Sequence, residues 1–278
     1  MHASRLLNPA GQYQVGRKSR RVLEDARELV ASLLGCEPIE VIFTASGTES
    51  DNIALVGQWQ ARKEQHNRVV STAIEHAAIY ETARYLADQG AQLDVMPVTP
   101  EGFVHDPDNF LETPAAVVAC MWANNETGMI FPIEEIGALC RERGILFHTD
   151  AVQAIGKIPV DVQKAKVDFL SFSAHKFHGP KGIGALYIRE GIELTPLLHG
   201  GEHMSGRRSG TLNVAGIIGM GEAMRLAVQH LDFEKNNVKR LRDKLEGALL
   251  ELPDVLVVGS RENRVPNTVL ISVKGVEG

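Results

Sequence analysis

Ser171-Phe172-Ser173-Ala174-His175-Lys176-Phe177-His178-Gly179-Pro180-Lys181-Gly182 ends a short apolar run and leads into a glycine-rich turn. The segment sets a lysine, a histidine and two serines where a chain leaving a sheet changes direction. A lysine held at such a place can be desolvated. Desolvation lowers its pKa, which is what an amine needs to form a Schiff base. Ser173 and His175 supply hydrogen-bond donors of the kind a phosphate requires. Together they point to a covalently held pyridoxal phosphate (PLP). The plainer alternative is a polar surface loop with two ordinary lysines.

Outward from this segment the chain alternates between helical and extended patterns. Arg17 to Leu34 reads as an amphipathic helix closed by Gly35, and Val41-Ile42-Phe43-Thr44 as a strand. Helices follow over Glu49 to Lys63, Ala77 to Gln89 and Ile133 to Arg143. Strands are expected at Arg68 to Thr72, Gln92 to Met96, Ala115 to Met121, Ile145 to Thr149, Val167 to Phe172 and Ile183 to Ile188. Strands separated by helices of this length predict an α/β fold, a mostly parallel sheet sandwiched by helices. A long helical region from Val214 to Glu251, interrupted near Asp232, precedes late strands at Val255 to Val258 and Thr268 to Val273. This divides the chain into a large domain, 1–228, and part of a smaller α+β domain, 229–278, whose helix and two strands make a poor core alone.

In open parallel sheets, ligands bind beyond the carboxyl ends of the strands. The residues that follow the strands are Ser46-Gly47-Thr48, Glu75-His76, Asn124-Asn125-Glu126, Asp150 with Gln153, and Ser173-His175-Lys176. All are polar, and all should project toward one rim. Ser46-Gly47-Thr48 opens a helix, whose free N–H groups favour an anion. As a plain N-cap, Thr48 would instead start that helix at Glu49. Asp150 can pair with a protonated pyridine nitrogen or cap a following helix, and Gln153 can reach the cofactor's phenolic oxygen. His76 can stack on a flat ring and shuttle protons, or be a structural histidine. Asn125 is a donor in a turn whose residues are common turn formers. The glycine-rich loop Gly200 to Thr211 is either a surface loop or a means of bringing Thr211 to a phosphate.

Composition narrows the function classes. Of 278 residues, 29 are Lys or Arg and 35 are Asp or Glu, a formal net charge of -6 that argues against a nucleic-acid surface. No apolar run approaches the roughly 18 residues of a membrane span. The N-terminus lacks a secretory pattern, and Cys36, Cys120 and Cys140 make no disulfide framework, so a reducing cytoplasm is expected. GxxxxGK[ST] and GxGxxG are both missing, which speaks against nucleotide-binding alternatives. The histidines and carboxylates lack metal-site spacing, so no metal is expected.

The order and spacing of several motifs resemble the cysteine desulfurases of the NifS/IscS type, class V aminotransferases of the PLP-dependent fold type I superfamily. The resemblance is carried by Phe43-Thr44-Ala45-Ser46-Gly47-Thr48-Glu49-Ser50-Asp51-Asn52, Glu75-His76, Asn124-Asn125-Glu126-Thr127-Gly128, His148-Thr149-Asp150-Ala151-Val152-Gln153, the Ser173 to Gly182 segment and Arg208-Ser209-Gly210-Thr211. It implies that Lys176 binds the cofactor covalently and moves protons at the substrate Cα. It implies that His76 stacks on the ring, Asp150 pairs with its nitrogen and Gln153 with its hydroxyl. Gly47 lies in the phosphate turn, and Thr48, Ser173 and His175 hold the phosphate. Asn125 sits near the cofactor and the substrate carboxylate. Thr211 reaches the phosphate of the neighbouring subunit, so a homodimer is implied. The family converts L-cysteine to L-alanine and passes the sulfur on as a persulfide, for iron–sulfur cluster or thio-cofactor assembly.

Three departures qualify the resemblance. The family's opening strand is missing, and the match starts near Asn8-Pro9-Ala10. The phosphate turn reads Ser46-Gly47-Thr48 where relatives usually have Gly-Ala-Thr. The sequence ends at Gly278, before the family's sulfur-accepting cysteine and carboxylate-binding arginine, and Cys36, Cys120 and Cys140 are expected to be structural. The chain is therefore expected to bind PLP yet transfer little sulfur by itself. An aminotransferase or lyase without an enzyme persulfide, and a non-catalytic scaffold, are the alternatives.

Overall fold

The computed structural model describes residues 14–99, 101–201 and 204–276; the Asn8-Pro9-Ala10 element lies outside them. Seven strands form one sheet: β1 (Val41–Thr44), β2 (Arg68–Thr72), β3 (Gln92–Met96), β4 (Val117–Ala119), β5 (Phe147–Asp150), β6 (Phe169–Ser173) and β7 (Gly184–Ile188). Their spatial order is β1-β7-β6-β5-β4-β2-β3. Strands β3, β2, β4, β5 and β6 run parallel, while β7 is antiparallel to both β6 and β1. The expected mostly parallel sheet is thus observed, with one reversed strand near its edge.

Side chains alternate between the two faces of a strand, and here each face has its own apolar core. Phe43, Val70, Val118, Phe147, Leu170, Phe172 and Tyr187 point to one side. There they meet Leu23, Val30 and Leu34 of the helix Gln14–Leu34 and Ile217, Met220 and Met224 of the helix Val214–Gln229. Ile42, Val69, Val117, Phe169, Leu186 and Ile188 point to the other. They meet Ile53, Leu55 and Trp59 of the helix Gly47–Arg62 and Ile79 and Leu86 of the helix Ala77–Asp88. Each such large apolar side chain contributes about 1.5–3 kcal/mol on burial. Every residue of β1, β2, β4, β5, β6 and β7 is buried, including polar ones such as Arg68, His148 and Ser171, as expected of strands covered on both faces. Only β3, at the edge, keeps exposed residues, and its Asp94 accepts from the buried Arg68 at 2.5 Å.

The helical region after Val214 breaks where expected. The helix Val214–Gln229 ends at His230, a π-helical turn spans Glu234–Val238, and a second helix covers Lys239–Leu250. Strands β8 (Val255–Val257) and β9 (Ile271–Val273) pair antiparallel as a separate two-stranded sheet. The segment before β9 is stitched to the turn after β4: Ile130 N donates to Asn263 O, and Val265 N to Gly128 O, both at 2.9 Å. No described helix is long and apolar enough to cross a membrane.

Candidate active site

The carboxyl ends of the parallel strands converge on a cavity of about 270 Å³. It is lined by Ser46, Gly47 and Thr48 after β1, His76 after β2, Met121 and Asn125 after β4, Asp150, Val152 and Gln153 at and after β5, and Ser173, His175 and Lys176 at the end of β6. Asp51, one helical turn beyond Gly47, completes the lining. Glu75, Asn124 and Glu126, expected at the rim, do not line this cavity. Every residue given a site role from the sequence does, except Thr211. That residue is exposed and does not line it.

The helix Gly47–Arg62 starts earlier than Glu49, and its cap is Ser46 rather than Thr48. Ser46 Oγ accepts from Glu49 N at 3.1 Å, while Glu49 Oε2 accepts from Ala45 N at 2.7 Å. Thr48 is thereby relieved of capping and exposed at the cavity. The first N–H groups of the helix have no intrahelical acceptor and carry the positive end of its dipole. Gly47 is required here by space: a Cβ would sit 2.8 Å from Val152 Cγ2. Close packing recurs beneath it. A Cβ on Gly184 of β7 would lie 2.7 Å from the carbonyl carbon of Ser46 and 2.9 Å from Phe172 O. The glycine-rich loop is anchored on the same helix, because Arg208 Nε donates to Glu49 Oε1 at 2.8 Å.

Lys176 does not take up the desolvated position that the sequence allowed for it. It is exposed, because the 3-10 turn Ala174–Phe177 lifts it off the buried strand β6 and out into the cavity. Ser173 Oγ and His175 Nδ1 are 2.9 Å apart, forming a polar pair beside it. His76 caps the helix Ala77–Asp88, with Nδ1 accepting from Ala78 N at 3.1 Å, and is exposed on the cavity side. In the turn after β4 it is Asn124 that holds the structure: its Oδ1 accepts from Glu126 N and Thr127 N, and its Nδ2 donates to Ile74 O. Asn125 is left exposed toward the cavity.

Asp150 is buried, and its Oδ1 accepts from Val152 N at 2.8 Å in a turn, not at a helix start. Among the described residues it has no ion-pair partner. Burial and the neighbouring Asp51 push its pKa up to about 7. Behind it, Asp51 is raised to about 7 and Glu75 to about 8, in both cases chiefly by burial. Glu75 Oε1 accepts from Thr72 Oγ1 and Met121 N, and its Oε2 is buried without a hydrogen-bond partner. Burial lowers His148 to about 4, so its 3.4 Å contact with Asp51 joins a neutral imidazole to a carboxyl rather than two charges. His148 Nε2 also lies 2.9 Å from Ser171 Oγ. Asp51 and Val152 were not singled out from the sequence. The signal for Asp51 was its i+4 spacing from Gly47.

The site suits PLP on three counts. It offers bare amides and hydroxyls for a phosphate and a primary amine for an aldehyde. It also offers a buried carboxylate that lacks a cation, which a protonated pyridine nitrogen would provide.

This fold is shared with known proteins. Residues 4–278 match the aminotransferase class-V family, and the chain belongs to it. Its relatives are more specific. It is 43% identical over 276 residues to the cysteine desulfurase IscS of Clostridium botulinum, covering 98% of this chain and 70% of that protein. It is 44% identical to the cysteine desulfurase NifS of Azotobacter vinelandii, covering 98% and 68%. A solved NifS-like protein superposes with a TM-score of 0.93 at 38% identity, covering 99% of this chain and 76% of the other. SspA in complex with cysteine superposes at 0.86 and 30% identity, covering 98% and 77%. The architecture is therefore that of the PLP-dependent fold type I enzymes, and the homologues are cysteine desulfurases.

Proposed function

We propose that this chain holds PLP in the 270 Å³ cavity and acts on L-cysteine, giving alanine and handing the sulfur to an acceptor thiol. The observation that supports this best is Asp150, a buried carboxylate facing the cavity with no cation beside it. Bound there, the cofactor supplies an electron sink for bonds at the substrate Cα. Lys176 would hold it covalently and move the proton at that carbon. Asp150 would keep the ring nitrogen protonated, His76 would stack on the ring, and Gln153 would meet its hydroxyl oxygen. Gly47 N, Thr48, Ser173 and His175 would hold the phosphate, and Asn125, at the cavity, would orient the substrate carboxylate. Thr211 would serve the partner subunit's cavity in a homodimer, which agrees with its lying outside its own. The same reading keeps 1–228 as the cofactor domain and 229–278 as part of a smaller one, in a cytoplasmic protein.

The sulfur step needs a thiol from elsewhere. Cys120 and Cys140 are buried, Cys36 is half-buried, and burial raises all three, Cys36 and Cys140 to about 12. None is a ready thiolate. That observation also favours a second reading, a class V reaction with no enzyme persulfide. Adding PLP to the purified chain should produce a visible absorbance band that Lys176→Ala abolishes. Incubation with L-cysteine should then give little turnover unless an outside thiol such as dithiothreitol is supplied, in which case alanine and sulfide should appear in equal amounts. Turnover of amino donor–acceptor pairs without sulfide would favour the second reading, and no band at all would leave only a scaffold.

A further inference from the structure

Gln153 and Lys157 lie on successive tight turns of the chain after β5, where Lys157 N donates to Ala154 O. The Lys157 ammonium donates to Gln153 Oε1. Gln153 lines the candidate cofactor cavity, but Lys157 does not. Lys157 lines a second cavity of about 680 Å³ on the far side of Lys176, together with His178, Glu222, His230 and Glu234. An ammonium offers only hydrogens, so it can face only the carbonyl end of a side-chain amide. The amide is planar, and its NH2 group must then point the other way. This one contact therefore decides which end of Gln153 the cavity meets.

We propose that Lys157 is a positioning residue for the cofactor site, holding Gln153 with its NH2 group toward the cavity so that Gln153 acts there as a donor. This rests on the reading that the cavity takes PLP, whose ring oxygen is anionic and calls for a donor. A reversed Gln153 would set a carbonyl against that oxygen. Lys157 is braced in turn. Burial and the Lys176 ammonium lower its pKa to about 8, while the Glu234 carboxylate supports its charge, so it remains mostly an ammonium at neutral pH. Lys157 does not line the cofactor cavity; it acts through Gln153.

The test is PLP titration of the purified 278-residue chain, read by the absorbance of the bound chromophore and by the pH midpoint of its colour change. The variants are Lys157→Met, Lys157→Arg, Gln153→Ala and the Lys157→Met/Gln153→Ala pair, each checked for folding by circular dichroism. Lys157→Ala replaces the methionine variant if that one does not fold. Lys157→Met should bind PLP about tenfold more weakly and move the midpoint upward, because the ring oxygen loses its donor and becomes more basic. Lys157→Arg should stay within about twofold of wild type, and in the Gln153→Ala background Lys157→Met should add less than about twofold. Two results overturn the proposal while leaving the cofactor reading intact. One is an unchanged affinity and midpoint in Lys157→Met; the other is the same tenfold loss with Gln153 already removed. A wild-type chain with no band, or with a band indifferent to Lys176→Ala, overturns the cofactor reading and this proposal with it.

Discussion

Asp150 and Glu246 are carboxylates buried to a similar degree, 5% and 2% exposed, in surroundings of opposite design. Around Asp150 the nearest charged groups include the carboxyls of Asp51 and Glu75, and burial pushes all three pKa values to about 7 or 8. Glu246, in the helix Lys239–Leu250, lies between Arg264, at 3.1 Å, and Arg261. Arg264 in turn donates to the carbonyls of Val258, Gly259 and Ser260, and the buried Arg242 to Val265 O. One region keeps its buried charge unmatched, and the other matches it internally. A buried charge without a partner is costly, while a matched one fixes geometry and fails badly when one partner is removed. The unmatched region is suited to receive a cation from a ligand, and the matched region to hold a shape.

The largest effect should come from breaking the matched side. Glu246→Ala strands Arg264 in the interior and should cost about 3–5 kcal/mol. Hydrogen exchange should then show residues 239–276 opening while the PLP band persists. Loss of the band with them would mean that the two regions are one energetic unit.

A smaller and opposite effect is expected on the unmatched side. Asp150→Asn should weaken PLP binding by about ten- to thirtyfold, yet stabilise the apoprotein at pH 8. The sign follows from linkage. Asp150 has its pKa raised from 3.8 to about 7 on folding, so the folded state binds the extra proton. Its stabilising contribution is complete below about pH 4 and is lost as pH rises through about 7. Asp51 and Glu75 act in the same direction, while His148, lowered to about 4, acts oppositely as pH falls below 6.5. Melting temperatures from pH 5 to 8.5 should therefore fall toward the alkaline end in the apoprotein, less steeply in Asp150→Asn and with PLP bound. A flat apoprotein profile would contradict the unmatched burial.

The smallest effect belongs to the outer face of the C-terminal part, where Leu241 and Leu256 are each 56% exposed. Leu256→Ser should change stability by about 0.5 kcal/mol or less in a denaturant titration. A larger loss would reveal packing that this face shares with something beyond the described residues.

Most of the rim was readable because strand ends are marked twice, by the close of an apolar run and by the polar residue after it. That rule picked out Ser46-Gly47-Thr48, His76, Asn125, Asp150, Gln153, Ser173, His175 and Lys176, which line one cavity, but also Glu75, Asn124 and Glu126, which do not: Glu75 and Asn124 are instead tied into hydrogen bonds behind it. The order of the strands was not readable. Nothing local in Gly184–Ile188 distinguishes a reversed strand from a parallel one when both are fully buried. The exposure of Lys176 was hidden because the sequence marks where the strand ends but not which way the turn that follows aims its side chains. Lys157 escaped notice for a related reason. It reaches Gln153 across a chain of turns rather than a helix, so no periodic pattern linked the two.

The contact between Gly184 and Ser46 has a consequence for ligand choice. The gap between β7 and the start of the helix Gly47–Arg62 is set by a side chain reduced to a hydrogen atom. That gap acts as a spacer of minimum thickness between the strand and the amide-bearing end of the helix. Widening it by one methyl group would shift the anion's seat relative to the amine without altering either. On the proposed reading, the separation of phosphate and aldehyde that the site accepts would be gauged by a residue that touches neither.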